Sequence, residues 1–179
     1  MVKLFSMATH YYIVGLGNPE PEYALTRHNA GKFMAGLFAQ KSASWRTKAS
    51  EIILPECFMN ESGKFLTKNY KLPTTKLIVV HDDLDLPLGK FKIVFNRGSG
   101  GHKGVQSVIR ALKTEKFVRA RIGISPKKKP NHKELLKFLT SKFKPSELKI
   151  LKKISKKVLA ALETIITEGH EKAMSLYNR

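Results

Sequence analysis

The sequence is poor in cysteine, in long apolar runs and in acid, and each shortage closes off a class of protein. A single cysteine, Cys57, excludes an internal disulfide and fits a reducing compartment. No cluster of Cys and His has the spacing of zinc ligands, so the chemistry is expected to use neither metal nor cofactor. No apolar run approaches the ~20 residues that cross a bilayer, and the basic helical segments carry no aromatic face suited to lying in lipid, so no membrane partner is expected. No Pro/Gly/Ser-rich linker divides the 179 residues, which predicts one well-buried domain over residues 11–179 behind a dispensable arm at residues 1–10. That arm has no small-residue cleavage site and does not read as a secretory signal. Several nucleotide and nucleophile signatures are missing too. A dinucleotide fingerprint starting at Gly15 fails because Glu20 occupies the place of its third glycine. The loop NRGSGGHKG lacks the P-loop pattern, and without a G-x-S-x-G elbow Ser99 reads as loop structure.

Acid is the most telling shortage. Against 33 Lys and Arg stand 14 Asp and Glu, a net charge of +19 and a pI near 10.1, which favours a polyanionic partner, nucleic acid first. What is present centres on residues 15–31, GLGNPEPEYALTRHNAG, behind the strand-like Tyr11 to Val14. Gly15 and Gly17 permit a tight turn, while Pro19 biases Asn18 toward an extended backbone and so positions its amide. His28 falls just before a helix of about residues 30–40, an accessible, loop-borne place; taken alone it reads as a surface histidine, and Asn29 as a helix cap. Glu51 to Leu54 is a short strand candidate. Asn60 stands at the probable start of a helix reaching about Tyr70, where by itself it also reads as a cap.

Lys76 to Val80 has the continuous β-branched character of a buried central strand, and the end of such a strand is a ligand edge. His81, Asp82, Asp83 and Asp85 follow, alone most simply a solvated turn. Lys90 to Phe95 alternates with one basic side, the NRGSGGHKG loop leads into a helix, and Phe117 to Ile124 is a strand with Arg119 and Arg121 on one side, where they can meet Lys92. A basic loop, a short helix near Glu134 to Leu139 and a long helix from Pro145 to about Gly169 complete the chain. The long helix sets Leu151, Ile154, Val158, Leu162 and Ile165 against the core and Lys149, Lys152, Lys153, Lys156 and Lys157 outward.

GLGNP, TRHNAG, Phe58-Met59-Asn60 with Ser62-Gly63, HDDLDLPLG, GSGGHKG and RIGI, in that order, resemble the bacterial-type peptidyl-tRNA hydrolases from about Tyr11 to Arg179. The resemblance implies an α/β fold: a single-domain twisted mixed β-sheet with helices on both faces. Its edge hairpin is shortened around residues 41–55, which suggests a missing edge strand. It also implies hydrolysis of the ester between peptide and tRNA by a metal-free cytoplasmic monomer, an organellar matrix being the other compartment that fits. His28 and Asp82 would be catalytic, with His28 the general base and Asp82 holding its tautomer. Asn18, Tyr23, Phe58, Asn60 and Lys103 would bind substrate, Asn18 and Asn60 as amides able to donate and accept. Lys92 and Arg121 would clamp a tRNA phosphate. Lys103 departs from the asparagine common in the family. That departure, with the shortened middle, supports the alternative of an RNA-binding homologue with weak or no activity.

Overall fold

In the computed structural model, residues 10–41 and 49–178 are described. The expected arm therefore lies outside the described residues apart from His10. The elements are β1 (Tyr11–Gly15), α1 (Ala30–Gln40), β2 (Ser50–Ile53), α2 (Ser62–Asn69), β3 (Leu77–Pro87), β4 (Phe91–Phe95), α3 (Lys103–Leu112), β5 (Val118–Ser125), α4 (His132–Thr140), α5 (Pro145–Glu168) and α6 (His170–Tyr177). Short 3-10 turns at Arg27–Asn29 and Met59–Glu61 precede α1 and α2.

The strands form one sheet in the order β2-β1-β3-β5-β4, parallel except for the antiparallel β4–β5 pair. This is the mixed sheet the sequence led us to expect. Strand alternation sends side chains to two apolar cores. Ile13, Ile78, Val80, Ala120 and Ile122 pack with Met34 and Phe38 of α1 and Leu151, Val158 and Leu162 of α5 on one face. Val14, Val79 and Phe117 pack with Leu66 of α2 and Val105 and Val108 of α3 on the other. The apolar stripe expected on the long helix is therefore its buried face.

Three expectations need correction. The sheet does not lack an edge strand: Ser50–Ile53 pairs in parallel with β1 and is that edge, while residues 42–48 just before it lie outside the described residues. β3 does not end at Val80 but runs to Pro87, because β5 continues to pair with it beyond the last β1 partner, Gly15 opposite Val80. And the first two glycines of the turn are needed for space, not for unusual backbone angles. A Cβ on Gly15 would lie 2.8 Å from that of Ala35, and one on Gly17 would lie 2.9 Å from Lys32 and Asn29. A third glycine matters more: a Cβ on Gly31 would stand 2.2 Å from the Val80 carbonyl, so only glycine lets α1 start this close to β3.

The sequence reading did not separate α6 from α5. They break at Gly169, whose φ of +94° suits glycine, and α6 returns to the open edge of β4. There Asn178 accepts from Ile93 N–H at 2.8 Å and donates to the Ile93 carbonyl at 2.8 Å, pairing part of an exposed edge. Asn178→Ala is expected to cost about 1–2 kcal/mol and to lower Tm by roughly 3–6 °C without changing turnover; calorimetry beside an activity assay measures both.

Candidate active site

Because β3 outruns β1, Asp82 stands where the sheet has lost its neighbour, and the turn carrying His28 fills that gap. His28 Nδ1 lies 2.9 Å from both Asp82 carboxylate oxygens. His28 is only 9% exposed, so the expectation of an accessible surface histidine is corrected: the turn folds inward, with Leu16 N–H bonding Val80 O at 2.9 Å and Lys32 N–H bonding Leu16 O at 3.1 Å.

The turn itself is fastened by two asparagines. Asn29 stands at the N-cap position of α1, but its side chain makes no cap bond. Its Oδ1 accepts from Asn18 N–H at 2.8 Å and its Nδ2 donates to the Asn18 carbonyl at 3.0 Å, tying the two ends of the turn together. Asn18 Oδ1 accepts from Met59 N–H at 2.9 Å. That bond orients the side chain, with Oδ1 on Met59 and the Nδ2 hydrogens turned the other way, while Oδ1 keeps a second lone pair. Asn60 is exposed and makes no cap bond, so it is available to a ligand. Phe58 is 52% exposed and meets Tyr23 edge-to-face at 6.4 Å.

Sequence reasoning missed His102. Its Nδ1 accepts from Val105 N–H at 3.2 Å, capping α3, so its proton sits on Nε2 and is donated to Asp82 Oδ1 at 2.9 Å. Asp82 thus accepts from two imidazoles. The signal was the histidine inside the quoted GSGGHKG motif, but only the fold shows that it reaches back to Asp82. His28, Asp82 and His102 place one ligand atom each within 4.8 Å of one another, a metal-type constellation that sequence spacing did not show. Here the ligand atoms are joined by hydrogen bonds, with protons lying between them. His81, buried beside His102 with ring centroids 4.7 Å apart, donates from Nδ1 to the Asp82 carbonyl at 2.7 Å. Burial and the neighbouring His102 keep His81 well below the usual histidine range, so it stays neutral.

Charges farther out divide into anchors and free groups. Arg27, 5% exposed, donates to both Glu147 oxygens at 2.9 and 2.6 Å and to Ser141 and Lys142, clasping the start of α5 to the turn that carries His28. Of the two β5 arginines, Arg119 is buried and holds the Arg97 and Gly98 carbonyls at 2.8 and 3.0 Å, so its expected meeting with Lys92 is corrected. Arg121 does pair in register with Lys92, and its Nε bonds Asp83. Lys103 is exposed and lines a groove with Asn60.

Comparison with known proteins agrees with this architecture. The peptidyl-tRNA hydrolase family model matches residues 12–179. A peptidyl-tRNA hydrolase from Pseudothermotoga lettingae is 40% identical over 93% of this chain and 95% of its own length, and one from Thermodesulfovibrio yellowstonii is 43% identical over 93% and 98%. The crystal structure of peptidyl-tRNA hydrolase from Acinetobacter baumannii superposes with a TM-score of 0.83 at 26% identity, covering 97% of this chain and 96% of that one. With a family match over nearly its whole length and relatives this similar, the chain belongs to the peptidyl-tRNA hydrolase family.

Proposed function

We propose that this chain hydrolyses the ester joining peptide to tRNA in peptidyl-tRNA and so returns tRNA to translation, with His28 as general base. The observation that carries the assignment is the Asp82 contact. A carboxylate on Nδ1 fixes that proton in place and leaves the lone pair on Nε2, the atom that takes a proton from water as it attacks the ester carbonyl. Asp82 then stabilises the imidazolium, and the proton passes to the departing ribose oxygen. The developing oxyanion needs a donor, and Asn18 Nδ2 has that chemistry, its hydrogens turned away from Met59 by the bond that Oδ1 accepts.

Tyr23, Phe58, Asn60 and Lys103 receive the peptide side, while Lys92 and the remaining Arg121 nitrogens take a tRNA phosphate. The hydrogen-bonded set of His28, Asp82 and His102 supports a reaction without a resident metal. All proposed groups come from residues 11–179, which we take as one working domain acting as a cytoplasmic monomer. Among the described residues, no helix is long and apolar enough to cross a membrane. Family membership and the assembled His28–Asp82 pair do not favour an inactive RNA-binding homologue.

Release of labelled peptide from peptidyl-tRNA tests the reaction directly. Lys92→Ala or Arg121→Ala is expected to raise KM for peptidyl-tRNA about tenfold or more while barely changing KM for a short peptidyl ester without the tRNA body. Equal losses on both substrates would remove these residues from the RNA clamp.

A further inference from the structure

Beside the catalytic turn a groove of about 740 Å³ runs between α2 and α3, with Asn60 and Lys103 at its head, Gln106 within, and Lys64 and Arg110 farther down. The helices run side by side in the same direction. Met59 lies against Gly104, and Gly63 crosses so close to α3 that a Cβ there would stand 2.0 Å from the Ser107 carbonyl. Lys64, Lys103 and Arg110 have no carboxylate partner among the described residues, whereas Arg27, Lys32, Arg121 and Lys129 each have one. Asn60 follows Met59, whose N–H bonds Asn18, and Lys103 follows His102, which bonds Asp82, so the head of the groove adjoins the His28 turn.

We infer that this groove receives the peptide half of the substrate and that its three unpaired cations favour peptides with acidic side chains close to the ester. The inference rests on the hydrolase reading above. α3 links β4 to β5 and α2 links β2 to β3, so α3 stands between this groove and the β4–β5 edge that carries Lys92 and Arg121. Two polymers meet at the ester and leave it in different directions; if RNA leaves over β4 and β5, the peptide leaves on the α2 flank, where Phe58 and Asn60 already stand. The groove lining itself argues against single-stranded RNA along α2 and α3, because beyond Phe58 at its approach it contains no aromatic ring on which successive bases would stack. It offers instead the Asn60 and Gln106 amides, which suit peptide N–H and C=O groups of any sequence. Lys103 and Arg110 are two helical turns apart, about 10 Å along α3, which an extended peptide covers in about three residues. Acidic side chains within the last four positions therefore meet the cations in turn.

The test uses peptidyl-tRNAs of equal length and the matching peptidyl-adenosine esters, with Glu, Ala or Lys at the second and fourth positions from the ester. The kcat/KM is expected to favour Glu over Ala by roughly fivefold and to disfavour Lys, in the same order on both scaffolds. Lys64→Glu with Arg110→Glu is expected to reverse that order. Equal rates for the three peptides overturn the inference. So does an unchanged order in the double variant accompanied by weakened binding of deacylated tRNA, which would assign the groove to RNA. If no ester is cleaved, the hydrolase reading fails separately; titration of the free peptides then decides, with tighter binding of the Glu peptide upholding the groove and equal binding rejecting it.

Discussion

His28→Ala is expected to lower peptidyl-tRNA turnover by about 10³-fold or more while leaving the fold and tRNA affinity intact. The side chain is buried against Asp82 but belongs to neither apolar cluster, so its loss removes chemistry and little apolar packing. The pH dependence separates a base from a merely structural histidine. Burial disfavours the His28 imidazolium, but the Asp82 charge and hydrogen bond outweigh it and hold its pKa above the usual value, with Lys103 opposing. A general base must be neutral, so kcat/KM should rise with pH through an apparent pKa above ~6.5 and fall on the acid side. Stability runs the other way. A raised pKa contributes stability that is complete below ~6.5 and is lost as pH rises through the folded value. Activity and this share of stability therefore change in opposite directions over one window, which a pH–rate profile and thermal melts measure on the same samples. Wild-type turnover by the alanine variant, or full activity well below ~6.5, would overturn the assignment.

How far the sequence reveals such a site depends on whether a contact is local. Helix periodicity points to α1 and the core face of α5, an apolar run to β1 and a β-branched run to β3, because those patterns record which face meets the core. A family resemblance carried by short motifs points to Asn18, His28 and Asp82, and the fold brings His28 onto Asp82. Their other partners are not legible locally. Asn29 reads as a cap in any local window, and only the close approach of Asn18 turns it into a clasp. His102 looks like a loop residue until α3 docks and brings it to Asp82. Arg119 and Arg121 share one strand face, yet one is buried under the glycine loop and the other reaches the edge, a difference set by the neighbouring elements. Strand ends were legible only to the point where pairing decides them, as the extension of β3 along β5 shows.

Asp82→Asn is expected to cost about 10²- to 10⁴-fold in kcat, and the reason is the placement of donors around it. The carboxylate accepts from His28 Nδ1 and from His102 Nε2, whose proton is fixed by the cap on Val105. Oδ1 lies 2.9 Å from both imidazoles and Oδ2 lies 2.9 Å from His28 alone, so an asparagine that keeps its oxygen toward His102 sets its NH2 group against His28 Nδ1. With His102 unable to change tautomer, the oxygen goes to His102 and the amide hydrogens face His28, which must then accept at Nδ1 and carry its proton on Nε2, the atom that should attack water's proton. Burial alone would raise the Asp82 pKa, yet the charges and hydrogen bonds of His28 and His102 hold it well below the usual carboxylate range. The acid limb of the wild-type rate profile therefore belongs to His28 and not to Asp82. A depressed carboxylate contributes stability that is present above ~3.9 and is lost as pH falls toward the folded value, so acid unfolding should begin far below the activity limb. In the asparagine variant burial of His28 is no longer opposed, and the acid limb should move to lower pH as its plateau drops. Adding His28→Ala should then cost almost nothing more, since both substitutions disable one unit. A variant that keeps wild-type kcat, or a double variant with independent and multiplying losses, would show that Asp82 does not act through His28.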